Sequence, residues 1–229
     1  MVSALLLELE GVLVDTRAAR FHALRTVLAE DGHTLDEGTF TDVADGLAPF
    51  EAAGAIAARL PGEHDATAIE LLALRADRAF SERASRGVTL MPGARALLEE
   101  AAARVPLALV TRARRPFVEM VLDLADATAF FQAIVSVEDV RDAKPAPEGH
   151  LRALARLSAR RPLAAADVVA LEDSLSGIRA ARRAGIRCVA VGAIPAHRAM
   201  EANALLPSLE GCTLADVERV LAPISEERQ

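Results

Sequence analysis

The chain has 229 residues, is 52% hydrophobic and 26% charged, and carries a formal net charge of −7. These values suit a soluble globular protein and exclude a disordered one. The negative charge, with no Trp and no Tyr for base stacking, argues against a nucleic-acid binder. No apolar run is long enough to span a membrane, and the N-terminus lacks the pattern of a secretory signal. The two cysteines, Cys188 and Cys212, need no disulfide in a chain of this size, so a cytoplasmic setting is expected.

The first apolar run, Ala4–Leu7, reads as a buried strand and leads into Glu8, Glu10 and Gly11. Residues 17–87 hold no convincing strand. Helical spacing appears over 18–30, 48–60 and 67–85, which predicts a helical insertion capping the C-terminal edge of a sheet. A helix over 93–104 follows Met91-Pro92, then a strand over 106–110, a helix over 116–124 and a strand over 133–137. A helix over 147–158, a strand over 168–171, a helix over 174–184 stopped by Gly185 and a strand over 188–191 complete the pattern. The short runs do not alternate with polar residues, as in strands covered on both faces. Strand and helix in alternation predict an α/β fold with a doubly wound, parallel, Rossmann-like sheet. The expected domains are a core of residues 1–16 and 88–229 and a small helical cap of residues 17–87. Residues 224–229 are polar and are expected to fray.

In such sheets ligands bind beyond the carboxyl ends of the strands. The first strand is followed by Glu8, Glu10 and Gly11, the second by Thr111 and Arg112, the third at a short distance by Lys144, and the fourth by Glu172 and Asp173. Acids, a hydroxyl and a lysine at four strand ends form an inventory for phosphate beside a divalent cation. Asp15 reads as a helix N-cap or loop acceptor, and Thr111 as a residue able both to cap a helix and to hold phosphate. Arg112, Arg114 and Arg115 read as a solvated basic patch from which Arg112 reaches substrate. Arg179, Arg182 and Arg183 read as an exposed helix face. His22, His33, His64, His150 and His197 show no metal-ligand spacing and read as surface or cap residues.

Four stretches, ELEGVLVDT (8–16), LVTR (109–112), AKPAPE (143–148) and LEDSLSGIRAARRAG (171–185), resemble in order the four motifs of the haloacid dehalogenase (HAD) superfamily. The likeness is to the phosphoglycolate phosphatase and β-phosphoglucomutase branch and covers nearly the whole chain. The resemblance implies a HAD-like fold with a cap inserted after the first strand, Mg²⁺ as cofactor and a small phosphorylated metabolite as substrate. It places the nucleophile at Glu8, the general acid/base at Glu10, phosphate binding at Thr111, Arg112 and Lys144, a catalytic part for Lys144, and the metal at Glu8, Glu10, Glu172 and Asp173. It implies no nucleic-acid or membrane partner, and a monomer or weak homodimer.

The sequence departs from the family at two places, where the family has Asp and this chain has Glu8 and Glu10. The extra methylene moves each carboxylate by about 1.5 Å on a fixed backbone. In the cap, Arg20 stands where phosphomutase relatives place a His, and the loop after Gly46 offers Ala48 rather than an Arg. Two readings follow: a Mg²⁺-dependent phosphatase with altered or weakened chemistry, or a catalytically silent relative that binds a phosphorylated ligand or a protein partner. A hydrolytic dehalogenase fits less well, because that chemistry needs no metal and leaves the Glu172-Asp173 pair without a use.

Overall fold

The computed structural model describes residues 1–222; the expected fraying at 224–229 lies outside them. The chain forms two compact units, residues 1–14 with 90–229 and residues 15–89. The first is built on a six-stranded sheet in the order β5-β4-β1-β6-β7-β8, every neighbouring pair parallel. Its strands are β1 (Ala4–Leu7), β4 (Leu107–Val110), β5 (Phe131–Val135), β6 (Val168–Glu172), β7 (Arg187–Val191) and β8 (Ala204–Leu206). Two short strands, β2 (Val14–Asp15) and β3 (Thr89–Leu90), pair with each other where the chain passes between the units.

The strands are buried because both faces are covered. Every residue of β1, β4 and β6 is buried, so unbroken apolar runs replace alternation. On one face Ala4 and Leu6 of β1 join one core with Ala153 and Leu157 of α7 (Glu148–Ser158) and with Ile178 and Ala181 of α8 (Leu175–Arg183). Each fully buried leucine here contributes about 1.5–3 kcal/mol. Helices α5 (Ala94–Ala102), α6 (Arg115–Leu124), α9 (Ala196–Ala199) and α10 (Leu214–Val220) complete this unit.

The second unit contains α1 (Arg17–Glu30), α2 (Glu37–Val43), α3 (Pro49–Ala57) and α4 (Ala66–Ala84). Its separate core gathers Phe21, Leu24 and Leu28 with Phe40, Ile56 and Leu72. Asp36 and Asp65 accept from the backbone N–H groups of Thr39 and Ala68 and start α2 and α4.

The two-residue strands β2 and β3 were not anticipated, and three further details differ from expectation, each with a local reason. The edge strand β8 was not anticipated: it is three residues long and partly exposed, too short for a periodic signal. Helix α2 was also not anticipated, since only Phe40 in its seven residues is buried. Strand β5 begins and ends two residues earlier than the predicted 133–137. The chain leaves the sheet at Ser136, whose N–H and hydroxyl both bond to Asp139 Oδ2, at 2.9 and 3.0 Å, and start a 3₁₀ turn.

Candidate active site

The site lies at the carboxyl ends of β1, β4 and β6, with Lys144 supplied by the connection from β5 to α7. After β1, Glu8 is still laddered, its N–H donating to Leu171 O at 3.1 Å. The chain then folds into a tight loop in which the N–H groups of Leu13 and Val14 both donate to Leu9 O at 2.9 Å. Gly11 turns this loop with φ +77°, and a Cβ there would lie 2.1 Å from Asp173 Oδ2. Both the backbone angle and the close approach therefore require glycine. Asp173 follows β6, and Ser174 caps α8 by accepting from Gly177 N at 3.2 Å.

The connection that delivers Lys144 is held at both ends by acids. Asp139 binds Ser136 and takes ion pairs from Arg115 and, at 2.7 Å, from Arg156. Glu148 Oε2 accepts from the N–H groups of Arg141 and Asp142 at 2.9 and 3.0 Å. Arg115 is thus a structural tie rather than part of a solvated patch, because Asp139 and Ile134 O engage its guanidinium. Arg179, Arg182 and Arg183 are exposed as expected, Arg179 pairing with Glu201 at 2.7 Å. Asp15 accepts from Arg17 N at 3.1 Å, as a loop acceptor would.

Lys144 is the centre of the arrangement. It is 9% exposed, and its ammonium donates to Glu8 Oε2 at 2.5 Å, Glu172 Oε1 at 2.6 Å and Val110 O at 2.8 Å. Three donors meet three acceptors, which completes its hydrogen-bonding capacity. It is also the one lysine in the sequence, against 25 arginines. Elsewhere the chain uses Arg for its cations, and here a compact ammonium fits where a planar fork would not. Burial alone would lower the Lys144 pKa, but the carboxylates of Glu172 and Glu8 outweigh it and hold the group charged above its ordinary value.

The two glutamates on Lys144 differ. Glu8 uses its other oxygen, Oε1, to accept from Leu9 N at 2.8 Å. Glu172 is 1% exposed, and its Oε1 also meets His150 Nε2 at 3.0 Å, while Oε2 is buried without a hydrogen-bond partner. Oε2 faces Gly177, where a Cβ would lie 1.8 Å away. Burial would raise the Glu172 pKa; Lys144 and His150 outweigh it and lower it. Asp173 behaves in the opposite sense: burial, then the charges of Glu8 and Glu172, push its pKa well above the carboxylate range.

Thr111 is buried, and its Oγ1 accepts from Ala113 N at 3.2 Å, in the turn before α6 rather than as its N-cap, which is Arg114. Thr111, Arg112 and Lys144 line one small hollow with Val110, Ser136 and Gly149. The structure therefore brings together Glu8, Lys144 and Glu172 by direct bonds, Thr111 and Arg112 by the shared hollow, and Asp173 by contact with the Gly11 turn. Glu10, half-buried, bridges to Val14 in the same loop and adds to the field that raises Asp173.

One site residue escaped the sequence reading. His150 is not a surface or cap residue but fully buried, and it touches Glu172. Its position carried the signal, because His150, Ala153 and Leu157 follow the i, i+3, i+7 spacing of the buried face of α7. In the other unit, the Arg20 guanidinium lies over the Phe80 ring at 3.9 Å and 3.7 Å from Asp77.

The donor set fits a divalent cation in charge: Glu8, Glu10, Glu172 and Asp173 outnumber Lys144, and burial followed by the charges of Glu8 and Glu172 raises the Asp173 pKa. Side-chain convergence is a separate matter. Glu8 and Glu172 turn oxygens to Lys144, and among the described residues no group of three His, Cys, Asp or Glu side chains stands in a metal-holding arrangement.

The haloacid dehalogenase-like hydrolase family matches residues 5–191. The chain belongs to this family. YhcW of Bacillus subtilis is 30% identical over 83% of this chain and 84% of that protein. The bifunctional riboflavin kinase/FMN phosphatase of Arabidopsis thaliana is 29% identical over 90% of this chain, which spans 53% of that longer protein. The crystal structure of CbbY from Rhodobacter sphaeroides in complex with phosphate is 26% identical, with a TM-score of 0.78 over 95% of this chain and all of that one. A variant of that protein was solved with xylulose-(1,5)-bisphosphate, at a TM-score of 0.77. CbbY, phosphoglycolate phosphatase and β-phosphoglucomutase mark the branch in which this chain sits. No helix among the described residues is long and apolar enough to cross a membrane.

Proposed function

We propose that this chain is a phosphoric monoester hydrolase of a small phosphorylated metabolite, with Glu8 as phosphoryl acceptor and Glu10 as general acid/base. The observation that carries this reading is the sole lysine, held charged and buried by Glu8, Glu172 and Val110 O beside the hollow lined by Thr111 and Arg112. A buried ammonium is costly to maintain. A chain that otherwise uses arginine has kept a lysine at the point where phosphate charge would have to be offset.

In this mechanism a Glu8 oxygen attacks phosphorus, forming the P–O bond of an acyl phosphate as the bond to the substrate oxygen breaks. Glu10 gives its proton to that leaving oxygen. Water then attacks the acyl phosphate and returns a proton to Glu10, which releases orthophosphate and restores the Glu8 carboxylate. Lys144, held by Glu172, stays beside Glu8 through both steps, and Thr111 and Arg112 hold phosphate oxygens. Mg²⁺, which the family generally uses, would be held by Asp173 with the backbone carbonyl of Glu10 and a Glu8 oxygen. It would supply further positive charge for the phosphate oxygens.

A second reading is a catalytically silent binder of a phosphorylated ligand. It draws on the occupied state of Glu8, whose two oxygens accept from Leu9 N and Lys144. Phosphate release from a panel of phosphorylated metabolites, with and without Mg²⁺, decides between them. Turnover that Glu8→Ala abolishes supports the hydrolase. Binding of phosphorylated ligands without turnover supports the silent reading.

A further inference from the structure

We propose that His150 is a positioning residue of this site: by donating from Nε2 to Glu172 Oε1 it sets the orientation of the carboxylate that aims Lys144. The inference rests on the hydrolase reading for its effect on rate, but its structural content stands apart from it.

The geometry is a chain of four buried groups. His150 Nε2 lies 3.0 Å from Glu172 Oε1, which accepts from Lys144 Nζ at 2.6 Å, and Nζ donates in turn to Glu8 Oε2 at 2.5 Å. Lys144 alone would leave the Glu172 carboxylate able to present either oxygen, since its ammonium does not distinguish them. His150 removes that freedom by binding the same oxygen from a second direction. Gly177 borders the other side, where a Cβ would lie 1.8 Å from Oε2, and Oε2 is buried there without a hydrogen-bond partner.

A carboxylate offers no proton, so Nε2 must carry the hydrogen in this contact. The second ring nitrogen, Nδ1, is then a bare acceptor, consistent with its being buried without a hydrogen-bond partner. The hydrogen bond one nitrogen makes sets the tautomer of a neutral imidazole.

The contact matters because Glu8 loses its negative charge when it takes the phosphoryl group. Lys144 then keeps Glu172 and Val110 O as its acceptors, and Glu172 must already be correctly turned. Groups of this kind, one step removed from the reacting atoms, typically affect activity about 10–100-fold.

Three measurements test the proposal. In the wild-type protein, ¹⁵N NMR of the imidazoles should show His150 as the Nε2–H tautomer, its signal identified by its loss in His150→Gln; the Nδ1–H tautomer overturns the proposal. ¹⁵N-lysine labelling reports on Lys144 alone, as no other lysine exists. Its ammonium signal should shift in His150→Phe and return towards wild type in His150→Gln, which keeps an N–H donor at similar reach; an unmoved signal in folded His150→Phe overturns the proposal. If His150→Phe does not fold, the tautomer and the Gln variant still decide. In a phosphatase assay, kcat should fall about 10–100-fold in His150→Phe with KM held, and recover in His150→Gln. Equal kcat in wild type and His150→Phe overturns the proposal. A wild type without turnover refutes the hydrolase reading, while both NMR measurements still judge His150.

Discussion

Shortening Glu8 and Glu10 to aspartate tests how this site relates to its family. Glu8→Asp withdraws the carboxylate by about 1.5 Å on a fixed backbone. The contact with Lys144, now 2.5 Å, would open to about 4 Å unless the lysine followed, and the ammonium is held back by Glu172 and Val110 O. A lost hydrogen bond between charged groups costs about 1.5–3 kcal/mol, so the single variant should unfold at a lower temperature than the wild type. Activity should move the other way. A misplacement of about 1 Å at a reacting group costs about 10²-fold, so restoring the shorter acid at both places should raise turnover by about 10²-fold, and by about 10⁴-fold if the two sites act independently. The assay is Mg²⁺-dependent phosphate release by wild type, both single variants and the double variant, with thermal unfolding of each. A double variant no faster than wild type would refute the reasoning, and would mean that the loop from Leu9 to Val14 has adapted to the longer acids.

Lys144→Met should lose about 3–5 kcal/mol of stability, because it leaves Glu8 and Glu172 buried without their cation, and Lys144→Arg should also lose activity for want of a donor arrangement matching three acceptors; calorimetry and the phosphate assay check both. Asp173 has a folded-state pKa raised by burial and by Glu8 and Glu172, so its ionisation opposes folding progressively as pH rises from its unfolded value of about 3.9. Asp173→Asn should therefore melt higher than wild type at neutral pH without divalent cation, the gap closing towards pH ~4, and Mg²⁺ should stabilise wild type but not the variant. Asp139 is the reverse case: burial would raise its pKa, but Arg156, Ser136 and Arg115 lower it, so its stabilisation is present above about pH 3.9 and lost as pH falls below. Asp139→Asn should be less stable than wild type at neutral pH, and the difference should shrink in acid titrations followed by circular dichroism.

Much of the core was readable because its causes are local. The runs that became β1, β4, β6 and β7 are apolar throughout, and each is bounded by a turn or a polar strand end. Gly185 has φ +73°, as a helix stop requires. What escaped notice had weak local causes. β8 exists because β7 offers it a parallel edge, with Val189, Ala190 and Val191 paired to Ala204, Leu205 and Leu206. The early end of β5 could have been anticipated from Ser136 and Asp139, which have capping-box spacing. His150 could have been placed on the buried face of α7, but periodicity does not say what a buried imidazole touches.

The sequence by itself determined the family, the alternation of the main strands and helices of the core, and the residue types at each strand end, because these depend on side-chain chemistry and short-range spacing. It also held the single lysine. Tertiary structure alone decided the partners. Lys144 is 136 positions from Glu8 and 28 from Glu172, and only the parallel pairing of β1 with β6 and β4 brings the three together. Whether one added methylene at Glu8 points its carboxylate at a substrate or at a lysine depends on the distance across the sheet, which no local pattern in the chain encodes.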